Sequence, residues 1–124
     1  MKYVDAAGMS LDDYPRPSVA VDTAVLTVEH GQLCVLLVLA PDAEPSIAWR
    51  LPGTFLHTGE MLTDAVARSL RDKAGVEGLR PEQLHVFDDP GRDDRGWVLS
   101  VAPLDVVRAD SIPGRVGQRL VPVA

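Results

Sequence analysis

The sequence predicts a layered α/β domain, and three stretches carry that reading. Ser18 to Val28, SVAVDTAVLTV, is rich in β-branched residues and partly alternating, as a strand is. Leu33 to Ala40, LCVLLVLA, is apolar without interruption, which fits a strand covered on both faces. Leu62 to Ala74 repeats apolar residues at helical spacing and stops at Gly75, as an amphipathic helix packed on such a sheet would.

Length and composition bound the rest. At 124 residues the chain is one domain, long enough for a hydrophobic core. Hydrophobic residues at 46% and charged residues at 24% are ordinary globular values, with no disorder signal. A net charge of −6 argues against nucleic acid or an anionic membrane as the main partner. The single cysteine, Cys34, excludes an internal disulfide and suits a reducing cytoplasm. The longest apolar run is too short to cross a bilayer, and Asp5 interrupts the start before any apolar region forms, so no signal peptide is expected.

In chain order, residues 1–17 read as an irregular arm and 18–124 as the domain. The strand from Ser18 to Val28 ends in a Glu-His-Gly-Gln turn, and Cys34 in the next strand is core, since nothing near it in sequence would lower its pKa. Pro41 to Ala48 is a loop. Trp49 to Gly53 is a short strand and turn, with Trp49 read as packing, and Phe55 and Leu56 continue an apolar face. His57 reads as a solvated loop imidazole, because no carboxylate of known position orients it. In the helix, Leu62, Ala65, Val66, Leu70 and Ala74 form the expected buried stripe. Met61 is a poor N-cap, so the first turn is expected to start a residue or two late, with Thr63 and Asp64 supplying polar character. Leu84 to Phe87 and Trp97 to Val107 are strands around a charged, turn-rich loop, DDPGRDDRG. Pro103 marks its strand as an edge or a bulge. Arg119 to Val123 is the last strand.

The stretch LPGTFLHTGEMLTDAVARSLRDKAGV, Leu51 to Val76, resembles the Nudix box of diphosphate-cleaving hydrolases. That pattern runs Gly, five residues, Glu, seven residues, Arg-Glu-apolar-any-Glu-Glu-any-Gly-apolar. Glu60, Arg68, Leu70, Gly75 and Val76 match it, while Thr54 stands for the first Gly and Ser69, Asp72 and Lys73 stand for the three helical glutamates. PSVAVDTAVLT near the start and the loop from Asp88 to Gly96 with its flanking strands resemble the subgroup of ADP-ribose pyrophosphatase-like domains and Nudix-type regulators of NAD metabolism. The resemblance implies the Nudix fold, a mixed β-sheet sandwiched by helices. It also implies an ion pair between Glu60 and Arg68 that holds loop and helix together. The helix that would follow the last strand is missing from the sequence, which leads to the expectation of either a truncated chain or a homodimer covering the sheet.

The substitutions fall on the chemistry. At about 100° per residue, positions 69, 72 and 73 share one helix face, where three glutamates would converge on a divalent metal. Magnesium takes carboxylate oxygens and substrate phosphates and activates water for attack on a diphosphate. Here a hydroxyl, a shorter carboxylate and an ammonium take those places. No metal or cofactor is therefore expected, with magnesium only if hydrolysis is retained; Glu60 and Asp72 are the residual catalytic and metal candidates. On the same projection Lys73 points inward between Leu62 and Val66, so it must extend to water or find an anion. That anion is either an acid such as Asp72 or Glu60, or a bound diphosphate.

Arg50, Lys73, Arg92 and Arg95 are the ligand-binding candidates, and Gly53, Arg68 and Gly75 the structural ones. The expected partner is a nucleotide-like small molecule, with no nucleic acid and no membrane. Three functions follow: a domain that binds ADP-ribose-like ligands with impaired or lost hydrolysis, an active hydrolase using Glu60, Asp72 and outlying carboxylates such as Asp88, Asp89 or Asp93, or an interaction module with a vestigial pocket.

Overall fold

The computed structural model describes residues 2–40 and 49–123; the loop expected from Pro41 to Ala48 lies outside them. Among the described residues, eight strands form one mixed sheet: β1 (Ser18–Asp22), β2 (Ala24–Glu29), β3 (Gln32–Leu39), β4 (Trp49–Arg50), β5 (Gly53–Phe55), β6 (Glu82–Phe87), β7 (Val98–Val106) and β8 (Gln118–Pro122). The helix α1 (Leu62–Ser69) runs into a π turn over Leu70–Ala74. Before the sheet, the arm is pinned by Asp5, whose carboxylate accepts the Ala7 and Met9 N–H groups, both at 2.9 Å.

The strand expected from Ser18 to Val28 is two strands, broken at Thr23. The cause lies on β7. Ser18 to Val21 pair in parallel with Val98 to Val101, and Ala24 to Leu26 continue at the same offset with Leu104 to Val106, so β1 and β2 lie end to end along one edge of β7. The residue that would face Thr23 is Pro103, which has no N–H to donate. Thr23 points its own N–H the other way, toward β5, and donates to the Pro52 carbonyl at 2.9 Å. On the other edge of β7, the register with β6 shifts between Gln83 and His85, beside Pro103. A proline inside a paired strand is thus accommodated by a ladder break on one side and a bulge on the other.

At Thr23 the outer partner changes as well, from β5 on β1 to β3 on β2, both antiparallel. The core fills from both layers: Val21, Val25, Leu36, Val38 and Val101 from strands meet Ala65, Val66, Leu70, Ala74 and Val76 from the helical segment. Cys34 is buried, as expected. Trp49 is half-buried and packs under the Arg119 guanidinium, 4.6 Å from its ring.

The helix departs from its expected details in three ways. It starts at Leu62, because Asp64 accepts the Met61 N–H at 2.9 Å and supplies the cap that Met61 lacks. Leu62 is exposed, whereas Ser69 joins the buried stripe at 1% exposure, its hydroxyl returned to the Val66 carbonyl at 3.0 Å. Finally, the π turn lets Val76 N–H reach back to the Leu70 carbonyl at 3.1 Å, and Gly75 closes the helix at φ 66°. A π turn holds more residues than an α turn, so residues after Leu70 leave the 100° projection.

Candidate functional site

Strand β5 is the meeting place of the site. Bonds from Thr23 N–H to the Pro52 carbonyl and from Leu56 N–H to the Val19 carbonyl fix which backbone groups face β1. By alternation, the carbonyls of Gly53 and Phe55 point to the free edge of the sheet. Two cations from the helical segment meet them there. Lys73 donates its ammonium to the Gly53 carbonyl, and Arg68 Nη2 donates to the Phe55 carbonyl at 3.0 Å.

Arg68 uses its whole fork. Nε and Nη2 donate to the two oxygens of Glu60 at 2.9 and 2.8 Å, and Nη1 donates to Thr54 Oγ1 at 3.0 Å. The His57 N–H also donates to Glu60, at 2.8 Å. The guanidinium first, and this backbone bond second, hold the Glu60 carboxyl down to about 2, while the carboxylate raises the Arg68 pKa. Thr54, which reads in the sequence only as a lost glycine, is therefore a working acceptor. The His57 ring is mostly exposed, as expected, although its Nδ1 comes within 4.0 Å of Glu60.

The expected convergence of positions 69, 72 and 73 does not occur. Ser69 is buried in the core. Asp72 is exposed and pairs with its neighbour Arg71 at 3.1 Å. Lys73 is exposed rather than inward-facing, because the π turn swings it toward β5, and it bonds a carbonyl rather than an acid. As a donor set for a divalent cation these side chains do not fit: one is inside the core, one carboxylate is spent on Arg68, and an ammonium sits on Gly53. Among the described residues no three His, Cys, Asp or Glu side chains come together.

On the face of β5 away from Thr54, Gly53 packs against Asp22. A Cβ at position 53 would fall 2.3 Å from Asp22 Oδ1 and 2.6 Å from the Val21 carbonyl, so only glycine fits. Asp22 Oδ2 accepts the Ser100 hydroxyl at 2.6 Å. Farther along, the loop before β7 folds back over β5 and sets the Arg95 guanidinium 5.1 Å above the Phe55 ring. Arg95 Nε and Nη2 both donate to Asp93, at 3.0 and 2.7 Å, which drives the Asp93 pKa well below the usual carboxylate range. Arg92, in the same loop, is exposed, as is Arg50 on β4 opposite Val38. Gly75, at the far end of the helix, lies against Arg115, whose Nη2 donates to the Asp72 carbonyl at 3.4 Å.

A curled mixed sheet, a loop and helix locked by Glu60 and Arg68, and a glycine-closed helix define a Nudix-type domain, and the chain belongs to the NUDIX domain family, whose profile matches residues 16–118. Its relatives include the ADPR responsive transcriptional repressor NtrR of Acinetobacter baylyi, 35% identical over 72% of this chain and 36% of that protein. An ADP-ribose pyrophosphatase of Methanocaldococcus jannaschii is 32% identical over 76% of this chain and 54% of that protein. This chain thus spans between about a third and a half of the curated relatives it matches. Among solved structures, the NUDIX domain of Shewanella oneidensis NrtR complexed with ADP ribose superposes with a TM-score of 0.74 and 28% identity, covering 94% of this chain and 79% of that one.

Proposed function

We propose that this domain binds an ADP-ribose-like nucleoside diphosphate derivative without magnesium and hydrolyses it weakly or not at all. The observation that carries the proposal is Lys73 on the Gly53 carbonyl. An ammonium held at a fixed point neutralises part of a diphosphate's charge, but it has no Lewis acidity with which to generate hydroxide from water. The buried Ser69 supports the same reading, since it withdraws a second position from any metal. The ligand class is supported by the relatives, one responsive to ADPR, one an ADP-ribose pyrophosphatase, and one complexed with ADP ribose.

The transcriptional repressor among the relatives weakens the expectation of no nucleic-acid partner. We assign the domain itself no nucleic-acid surface, because its net charge is −6 and Arg68, Arg71, Arg95 and Arg108 are paired with acids. Among the described residues no helix is long and apolar enough to cross a membrane.

Calorimetry with ADP-ribose in EDTA tests the binding. The parent should bind, and Lys73→Met, which keeps the stem and removes the charge, should bind at least about ten-fold more weakly. Chromatography of the parent with ADP-ribose and magnesium should show no efficient release of AMP. Brisk AMP release, or equal binding by parent and variant, would defeat the proposal.

A further inference from the structure

Alternate residues of the apolar run in β3 point to opposite faces of the sheet. Cys34, Leu36 and Val38 go to the helix side and are buried, while Leu33, Val35, Leu37 and Leu39 go to the other side and stay exposed or half-buried. The sequence predicts cover on both faces of this strand, and the described residues supply it on one. The second face is built of apolar rows that cross the sheet. Val106, Leu26, Val35 and Val121 stand in register on β7, β2, β3 and β8. On one side of that row come Val28, Leu33 and Val123, all exposed. None of these side chains joins the core.

The row on the other side carries charge at its ends. Glu82 on β6 is opposite Leu104, and Leu104 is opposite Ala24. The β2–β3 register carried two residues on sets Ala24 opposite Leu37, which faces Arg119 on β8. An apolar row thus ends in an acid at one rim of the sheet and a base at the other, and both are exposed. Neither has an ion partner among the described residues. The Arg119 guanidinium is instead kept on the open face by the ring of Trp49, which stands opposite Leu39. At about 4.8 Å between strands and about 6.7 Å between rows, the patch covers roughly 400 Å². Apolar patches of that size with polar rims mark interaction sites.

We propose that this face docks a second copy of the same chain, sheet against sheet, about a two-fold axis that runs along the strands. Rotation about such an axis lays each row over the same row of the other copy and exchanges the two rims. Glu82 of each copy then meets Arg119 of the other, and the assembly closes as a dimer. Face-to-face sheets pack about 10 Å apart, so the apolar rows supply the affinity, while the rim pairs fix the register. An axis across the strands would set the Glu82 rim on the Glu82 rim. An occupant with a purely apolar surface would leave both charges unmatched, so a second copy is the occupant that answers them. The inference stands apart from the ligand reading.

Sedimentation velocity of the 124-residue chain over a concentration series tests it, with circular dichroism checking that each variant folds. The parent should be a reversible dimer. Val106→Lys, at an exposed position in the middle row, should be monomeric, whereas Val116→Lys, in the loop before β8, should dimerise as the parent does. Glu82→Arg and Arg119→Glu should each weaken the dimer roughly ten-fold, and the double reversal should restore it, because it exchanges the charges and keeps their match. Glu82→Arg leaves Trp49 untouched and reads the charge alone; if Val106→Lys fails to fold, the reversal series decides. A parent that stays monomeric at every concentration gives the face to another occupant and overturns the proposal. A dimer that survives Val106→Lys, or one whose strength ignores Glu82→Arg or is not restored by the double reversal, overturns it as well.

Discussion

Lys73 and Gly53, twenty residues apart, meet through the lysine ammonium and the glycine carbonyl at the free edge of β5. The contact exists because a π turn redirects Lys73 and because β5 ends the sheet, so that among the described residues the Gly53 carbonyl has no strand partner. Beside it, Arg68 takes the Phe55 carbonyl.

Replacing this ammonium by a carboxylate should convert the contact into a cation site. In Lys73→Glu, a carboxylate would face the Gly53 carbonyl, oxygen against oxygen, and the two would suit magnesium. The melting temperature should drop by about 3 °C in EDTA and recover with millimolar magnesium, while the parent stays insensitive to the metal. A magnesium-insensitive variant would show that the carbonyl is not available to a cation.

Acid should weaken the loop-helix lock. The folded Glu60 carboxyl is held down to about 2, from an ordinary value of 4.5, by the Arg68 guanidinium and the His57 N–H. Because the folded pKa is the lower one, the stabilisation is complete above pH 4.5 and is lost as pH falls toward 2. Arg68→Met should lower the melting temperature at pH 7 and flatten its decline over that window relative to the parent. Comparing the slopes removes the contribution of Asp93, which also titrates at low pH.

Restoring a glutamate at position 69 should be harmful on its own. Ser69 is 1% exposed, and its hydroxyl is satisfied by the Val66 carbonyl. Ser69→Glu would bury a carboxyl without a partner, at a cost of about 1–3 kcal/mol or more in urea unfolding. A Ser69→Glu variant as stable as the parent would show that the side chain escapes the core.

Gly53→Ala should be more damaging than Gly75→Ala. The new Cβ at position 53 would meet both the Asp22 carboxylate and the Val21 backbone, which suggests a loss of about 1–3 kcal/mol. At position 75 the obstacle is the flexible end of Arg115 at 3.0 Å plus a left-handed φ of 66°, worth roughly 1 kcal/mol. Urea unfolding of both variants checks the order. The additional Asp22→Ala change should recover part of the loss at Gly53 and none at Gly75.

What the sequence made legible was local. The helix and its stop at Gly75 and the burial of Cys34 depend on short spacings that composition and a helical projection capture, while the Glu60 to Arg68 pair is what the Nudix resemblance implies. The break at Thr23 was not legible, because its cause is Pro103, far along the chain. Lys73 was misplaced because an ideal projection contains no π turn, and Ser69 because a polar residue on the face assigned to a metal reads as outward. Arg95 reads in the sequence only as a ligand-binding candidate, because its engagement by Asp93 and Phe55 depends on how the loop folds back, which spacing does not encode.

The parallel ladder along β7 also bears on how the domain assembles. Ser18 waits for Val98 and Ala24 for Leu104, so the sheet cannot close until most of the chain is present. The loop from Glu60 to Arg68 and the tether from Gly53 to Lys73 close over far shorter spans. Short loops lose less entropy on closing, and distant strand pairings are the slow events of folding. The lysine-bearing corner is therefore expected to take shape while the first strands are still searching for their partner, with docking of β7 the slow step, which stopped-flow refolding of Val101→Ala against Val66→Ala would check.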